Sequence, residues 1–396
     1  MRKAYAVIGA NFGDEGKGLM TDYFCRQGGR VINVRSNGGA QAGHTVCTQD
    51  NKRHVFSHIG AGTFAGADTY LSEFFTVNPM LFMKEYGTFV SETGIYPKIF
   101  ADPCSAVSVP CDMLINQFLE RQRGKDRHGS CGMGIYESVK RNSDAEYAVR
   151  FGDIFPGSER NIYDKISRIN KLYAPKRLKE LGFEAVPDEL REALDNDAVT
   201  DNFIDDMFDT ARICSLSDGI PPAYDTAVFE GAQGLMLDCG RSDYFPNLTP
   251  SNTGMKNVRS LLNGFKPDST EICYVTRSYF TRHGAGRFDT ESAELAKSYG
   301  LTDRTNVTNE FQGGFRFGYF DPEEFERSVA LDRKYVKKGD MISVCVTHLD
   351  CTDGKLICQD KNMAPETAAG IVGAQKLYLS FGERAADVSV KETGCL

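Results

Sequence analysis

No apolar run in this sequence reaches the roughly 18 residues of a membrane-crossing helix, and its opening residues lack the basic start and apolar core of a secretory leader. Those absences exclude a membrane partner and lead to the expectation of a cytoplasmic protein. An excess of positive charge is also missing. With 46 Lys and Arg against 54 Asp and Glu, the net charge is -8, which excludes a broad nucleic-acid surface but leaves room for a local basic pocket that binds a nucleotide. The 12 cysteines include no Cys-x-x-Cys pair backed by a second pair or by a histidine cluster. A zinc site or disulfide framework is thereby excluded, and free thiols are expected. Internal repeats, low-complexity tracts and Pro/Gly/Ser linkers are absent too, so residues 1–396 are read as one domain.

What is present is a globular chain, 41% hydrophobic and 25% charged. Short runs rich in Val and Ile recur: AYAVIGA at 4–10, RVINVRS at 30–36, TAVFEGA at 226–232, TEICYVTRS at 270–278 and DMISVCVTH at 340–348. Runs of this length, closed by Gly, Ser or Asn, suit strands buried on both faces of a parallel sheet. KGLMTDYFCRQ, NPMLFMKEYGTF and EEFERSVALDRKY place apolar residues three and four apart, as helices packed on that sheet do. The charged stretch 157–212 reads as an amphipathic helical side lobe. The fold class is α/β, with a large central, mostly parallel sheet flanked by helices.

Four loops could carry chemistry. In GDEGKG the glycines let backbone N–H groups turn towards an anion, the next helix offers its positive end, and Lys17 adds a charge. A strict Walker A loop would have Gly where Asn11 stands and Ser or Thr where Gly18 stands. Asp14 is unusual in an anion site unless it binds Mg²⁺ or removes a proton, and a plain glycine turn is the alternative. SNGGAQAGHT ends in His44, a candidate proton donor to a developing oxyanion. FEGAQGLMLDCGRSDYFPNLTPSNTG carries Glu230 and Gln233 at a strand end, and Gln233 can pair with a heterocycle edge through both donor and acceptor. In VTHLD, Asp350 can accept from N1–H and the 2-amino group of guanine, although such an Asp also serves as a helix cap.

Taken in order, GDEGKG, GGAQAGHT, EGAQG, TPSNT, TRHGAGRFDTE and HLD resemble the signature stretches of the adenylosuccinate synthetase family, from Val7 to about Arg384. The resemblance implies a P-loop-related fold and a ligase that joins aspartate to C6 of inosine monophosphate at the expense of GTP, with Mg²⁺. It implies that the 6-oxygen is phosphorylated first and then displaced as phosphate by the amine. Asp14 would take the N1 proton and ligate Mg²⁺ beside the Gly43 carbonyl, His44 would act as acid at the phosphate bridge, and Gln233 would meet the 6-position.

By the same resemblance GTP would contact Gly13, Glu15, Gly16, Lys17, Gly18, Gly43, Thr45, His348, Asp350, Ser380 and Gly382. The purine monophosphate would contact Asp14, Asn37, Gly38, Ser130, Cys131, Gln233, Thr249 and His283. In a family homodimer an arginine of the partner subunit reaches that phosphate, and Arg141 stands nearest its place. Three departures accompany the likeness: Cys131 replaces a hydroxyl, His348 replaces a lysine, and the arginine run of the amino-acid loop is reduced at 306–321 to Thr308 and Arg316. With one arginine for a dicarboxylate, either aspartate or another amino acid or amine remains open. Viral relatives that use deoxyguanylate carry a small residue in place of the loop aspartate, so Asp14 favours inosine monophosphate over (d)GMP. A nucleotide-binding protein without catalysis is the rival class.

Overall fold

The structure, a computed structural model, describes residues 1–124, 129–155, 159–303, 305 and 313–393. Its centre is a ten-stranded sheet, with strands numbered here in chain order: β1 Lys3–Gly9, β2 Val31–Arg35, β3 Asp68–Leu71, β4 Ile99–Ala101, β5 Cys214–Leu216, β6 Thr226–Glu230, β7 Ser269–Arg277, β8 Met341–Thr347, β9 Lys376–Ser380 and β10 Val388–Glu392. Their spatial order is β5-β4-β3-β2-β6-β1-β7-β8-β9-β10. Every neighbouring pair is parallel except β9 and β10. The five runs read as strands from sequence are β1, β2, β6, β7 and β8, which lie side by side in the middle of this sheet.

Alternation along these strands feeds two cores. Ala4, Ala6 and Ile8 of β1 join Ile272, Tyr274, Val344 and Val346 on one face. Val7 joins Val228, Cys273, Val275 and Cys345 on the other. Each such buried aliphatic side chain contributes about 1.5–3 kcal/mol of transfer free energy. Helix α1, Lys17–Cys25, covers the second face with Met20, Phe24 and Cys25. The helix Met255–Phe265 covers the first with Met255, Val258, Leu262 and Phe265, spaced three and four apart.

Within 157–212 the described residues form helices at Glu159–Arg168, Ala174–Glu180, Asp188–Leu194 and Asp197–Ile213, with a π-turn at Ile169–Tyr173. Their apolar faces share a further core with Phe82 and Phe89 of the helix Pro79–Thr93.

One expected site residue belongs to this scaffold. Arg141, in the helix Ile135–Asn142, is fully buried. Its Nε and Nη2 donate to Asp112 at 2.9 and 2.8 Å, Nη1 to the Tyr147 carbonyl at 2.7 Å and Nη2 also to the Val107 carbonyl at 2.7 Å. The expectation that Arg141 reaches a partner subunit's phosphate is therefore corrected, because a guanidinium so enclosed cannot leave its own fold. Removing one member of such a pair leaves the other charge buried and alone. Asp112→Ala is expected to lower the unfolding free energy by about 3–5 kcal/mol, and Asp112→Leu with Arg141→Met to recover most of it, both read by urea denaturation.

Candidate active site

Parallel strands send their following loops to one edge, and a ligand crevice opens where successive connections leave in opposite directions. β1 lies at that point, between β6 and β7. The loops after β1, β2, β6, β7, β8 and β9 therefore share the edge, and those after β1, β2, β6 and β8 are the four loops singled out in the sequence.

The loop after β1 turns through Gly13, Asp14 and Gly16, all with positive φ (96°, 61° and 100°). Its Glu15 points inward. The buried carboxylate accepts from the backbone N–H of Asn11 at 3.1 Å, from that of Gly13 at 2.8 Å, and from Lys17 Nζ at 2.6 Å. In this structure the Lys17 ammonium, expected on phosphate, rests on Glu15. The loop is fastened to its neighbours: the Thr347 hydroxyl donates to the Glu15 carbonyl at 2.7 Å, and Arg277 Nε donates to the Asp14 carbonyl. A Cβ on Gly18 would fall 2.8 Å from the Thr45 carbonyl oxygen, which explains glycine where α1 meets the His44 hairpin. Burial pushes the Asp14 carboxyl up, with Arg277 and Lys17 pulling it back.

His44 opens a hairpin of His44–Cys47 with Arg53–Phe56. Its Nδ1 bonds Glu230 Oε1, whose other oxygen accepts from the Ala61 N–H at 3.1 Å. Glu230 closes β6 in register with Arg35, which closes β2, and the two fully buried side chains stand 2.6 Å apart. Burial acts to raise the Glu230 carboxyl, but Arg35 and His44 outweigh it and hold it at about 2. His44 is lowered by burial, against the pull of Glu230. Arg35 was not anticipated from sequence, although each of the two strand runs ends in a buried charge of opposite sign.

Gln233, with φ 55°, follows Ala232, whose N–H and carbonyl both bond the side chain of Asn37 at 2.7 and 3.0 Å. Asn37 thus positions the Gln233 turn. Gly38, at φ 87°, allows that approach, since a Cβ there would lie 2.6 Å from the Ala232 Cβ. Among the described residues, the buried side-chain atoms without hydrogen-bond partners include Gln233 Oε1, Gln41 Oε1, His283 Nε2 and both amide atoms of Asn11. An unmet buried polar atom costs about 1–3 kcal/mol, which a purine edge could offset. Gln41 and Asn11 were missed by sequence reasoning.

The remaining expected contacts are more dispersed. Ser130 donates to Asn116 Oδ1 at 3.0 Å, and burial pushes the Cys131 thiol up. Thr249 is half-buried, its N–H on the Leu237 carbonyl at 2.9 Å, and Thr45 Oγ1 meets Thr305 Oγ1 at 3.2 Å. His348 Nδ1 meets the Thr347 hydroxyl at 2.8 Å, and burial together with Arg277 keeps its pKa well below the usual histidine range. Burial thus works against the charge that a lysine would bring there. Asp350 is exposed, and the Ser380 hydroxyl donates to the Gly382 carbonyl at 2.8 Å.

Thr308 lies outside the described residues. Arg316 sits on the hairpin that pairs Phe280–His283 with Phe315–Gly318. It binds both carboxylate oxygens of Glu291 and donates to the Gly284 and Gly286 carbonyls at 3.2 and 2.8 Å. Its donors close that hairpin. Among the described residues no group of three or more His, Cys, Asp or Glu could hold a metal. A Mg²⁺ shared with nucleotide phosphates needs one or two protein oxygens, and the Asp14 carboxylate with the Gly43 carbonyl fits that donor set.

The model of the family described as adenylosuccinate synthetase matches residues 6–357. An adenylosuccinate synthetase of Teredinibacter turnerae is 28% identical over 377 residues, covering 92% of this chain and 82% of that protein. One of Acinetobacter baylyi is 29% identical over 366 residues, covering 89% and 79%. Among solved structures, fully ligated adenylosuccinate synthetase from Plasmodium falciparum superposes with a TM-score of 0.73 at 17% identity, covering 99% of this chain and all of that one. The succinoaminodeoxyadenylate synthetase of cyanophage S-2L, bound to dGMP and to dATP as energy donor, does so with 0.61 at 13% identity, covering 98% and 95%. These two likenesses establish the fold. The family match, extending over most of the sequence and in agreement with the six ordered blocks, shows that this chain belongs to the adenylosuccinate synthetase family, ligases that form a carbon–nitrogen bond.

Proposed function

We propose that this chain uses GTP to phosphorylate the 6-oxygen of inosine monophosphate and then joins L-aspartate to C6, giving adenylosuccinate, GDP and phosphate. The observation that carries the reading is the convergence of Asp14, His44 and Gln233 on one sheet edge, with Gln233 Oε1 buried and unmet. Asp14 accepts the N1 proton, so that the 6-oxygen gains the electron density that attacks the γ-phosphorus. Its raised affinity for a proton suits a group that takes one from N1. The Gln233 amide orients the 6-position.

Nδ1 of His44 is committed to Glu230, which leaves Nε2 for the phosphate bridge. An anion arriving there favours the imidazolium, and Glu230, held ionised by Arg35, supports it. Mg²⁺ held by Asp14 and the Gly43 carbonyl supplies charge neutralisation on the phosphates. In the second step the amine attacks C6 and the phosphate bonded through the former 6-oxygen departs. A homodimer in the cytoplasm belongs to the same reading.

Asp14 also bears on the purine. The cyanophage relative holds dGMP, whereas a carboxylate at the loop accepts from N1–H and crowds a 2-amino group. Hypoxanthine is thus preferred. For the nucleophile a second reading has its own observation: Arg316, engaged by Glu291, offers little to a second carboxylate, which favours an amino acid smaller in charge than aspartate.

Purified protein with Mg²⁺, GTP and inosine monophosphate is expected to release phosphate upon addition of L-aspartate, with the ultraviolet shift of a 6-amino-substituted purine. Release with deoxyguanylate in place of inosine monophosphate would reverse the purine assignment. Asp14→Asn and His44→Asn are each expected to lower kcat by roughly 10²–10⁴, the range for a lost proton-transfer group. Unchanged kcat in either variant removes that residue from the mechanism.

A further inference from the structure

Among the arginines described between β7 and the end of the amino-acid hairpin, Arg282 and Arg316 are occupied by the fold. Arg282 is buried against the Phe12 ring and donates to the carbonyls of Asn247, Ala285 and Arg287. Arg316 closes its hairpin on Glu291, and Arg287 pairs with its near neighbour Asp289. Arg277 is placed differently. It ends β7, is 5% exposed, and donates through Nε to the carbonyl of Asp14, the residue assigned to N1 of the purine. Its Nη2 meets Asp303 at 3.2 Å, and Nη1 reaches the Tyr279 hydroxyl at 3.5 Å, the outer limit of a hydrogen bond.

The guanidinium lies 5.4 Å from the ring of Phe315, the first residue of the strand that carries Arg316. One cation thus stands where the base-handling loop and the amino-acid loop meet. An amine that attacks C6 must arrive beside Asp14, and its α-carboxylate then falls within reach of a group anchored on the Asp14 backbone.

We propose that Arg277, rather than Arg316, binds the α-carboxylate of the incoming amino acid, with Asp303 holding the guanidinium until the substrate arrives. This assignment rests on the ligase reading and narrows it: the nucleophile is an α-amino acid whose one obligatory carboxylate meets one guanidinium fork. The carboxylate displaces Asp303 from Nη2 and uses the poorly engaged Nη1, giving the two-pronged geometry that arginine favours and lysine cannot reproduce.

The test compares steady-state kinetics with L-aspartate and, in parallel, glycine. Arg277→Lys keeps the charge and loses the fork. It is expected to raise the amino-acid KM about tenfold or more, by a clearly larger factor than the KM values for GTP and inosine monophosphate. Asp303→Asn, which removes the competing carboxylate, is expected to lower the amino-acid KM, and it serves if the lysine variant does not fold. An unchanged amino-acid KM in Arg277→Lys, or a larger rise in Arg316→Gln than in Arg277→Lys, overturns the assignment. Oxygen-18 exchange between the bridge and non-bridge positions of labelled GTP, measured with inosine monophosphate and no amino acid, separates the two readings. Exchange in wild type is expected. Its absence from wild type, or turnover with neither amino acid, overturns the ligase reading and this assignment together.

Discussion

The site depends on one buried carboxylate. Glu230 ends the strand beside β1, takes Arg35 across the sheet, His44 from the next loop and the Ala61 N–H from a turn beyond. Enclosing a carboxylate and a guanidinium together costs several kcal/mol of lost hydration for each, so a pair of this kind contributes little net stability. Its consequence is orientation. With Glu230 ionised, His44 has one nitrogen fixed, and the ring keeps a single face towards the phosphate loop. Arg35 is bound in turn to the Ser57 carbonyl at 2.8 Å, and the turn at Ser57–Ile59 is gripped by the buried Glu85, whose oxygens accept from the N–H groups of residues 57, 58 and 59 at 2.9, 2.7 and 3.3 Å. The position of one imidazole is thereby traced back to a helix on the far side of the hairpin.

Backbone conformation points to the same place. Among the described residues six non-glycine ones have positive φ, and three of them, Asp14, Gln233 and His348, are residues the sequence pointed to as functional. The left-handed region is unfavourable for a side chain and persists where surrounding contacts impose it. At Gln233 those contacts are the paired hydrogen bonds between Asn37 and Ala232, and at His348 the Ser278 hydroxyl donates to its carbonyl at 3.0 Å. Each turn follows a strand of the central sheet.

How far the sequence revealed this follows from burial. The five central strands were legible because strands buried on both faces read as unbroken apolar runs. The outer ones were not: β3, β4 and β5 have three or four residues and merge with their surroundings, and β10 is largely exposed. The glycine-rich loops were legible because close backbone approach leaves a compositional trace. Arg141 was misjudged because its nearness in sequence to the phosphate-contact stretch says nothing of a partner at Asp112, 29 residues earlier. Arg35 and Glu230 are 195 positions apart, and only the parallel register of β2 and β6 makes them one unit.

The phosphate loop answers the question of why an anion site carries carboxylates. Glu15 lies inside the loop, where it uses the amides of residues 11 and 13 and balances Lys17, itself 3% exposed. Glu15 and Lys17 thereby cancel each other's charge inside the loop. Phosphate is left the amides further along and the start of α1, whose first turn holds no acidic residue to oppose it. Because Lys17 is held by Glu15, any other anion that reached this ammonium would exchange with a carboxylate and leave it paired throughout.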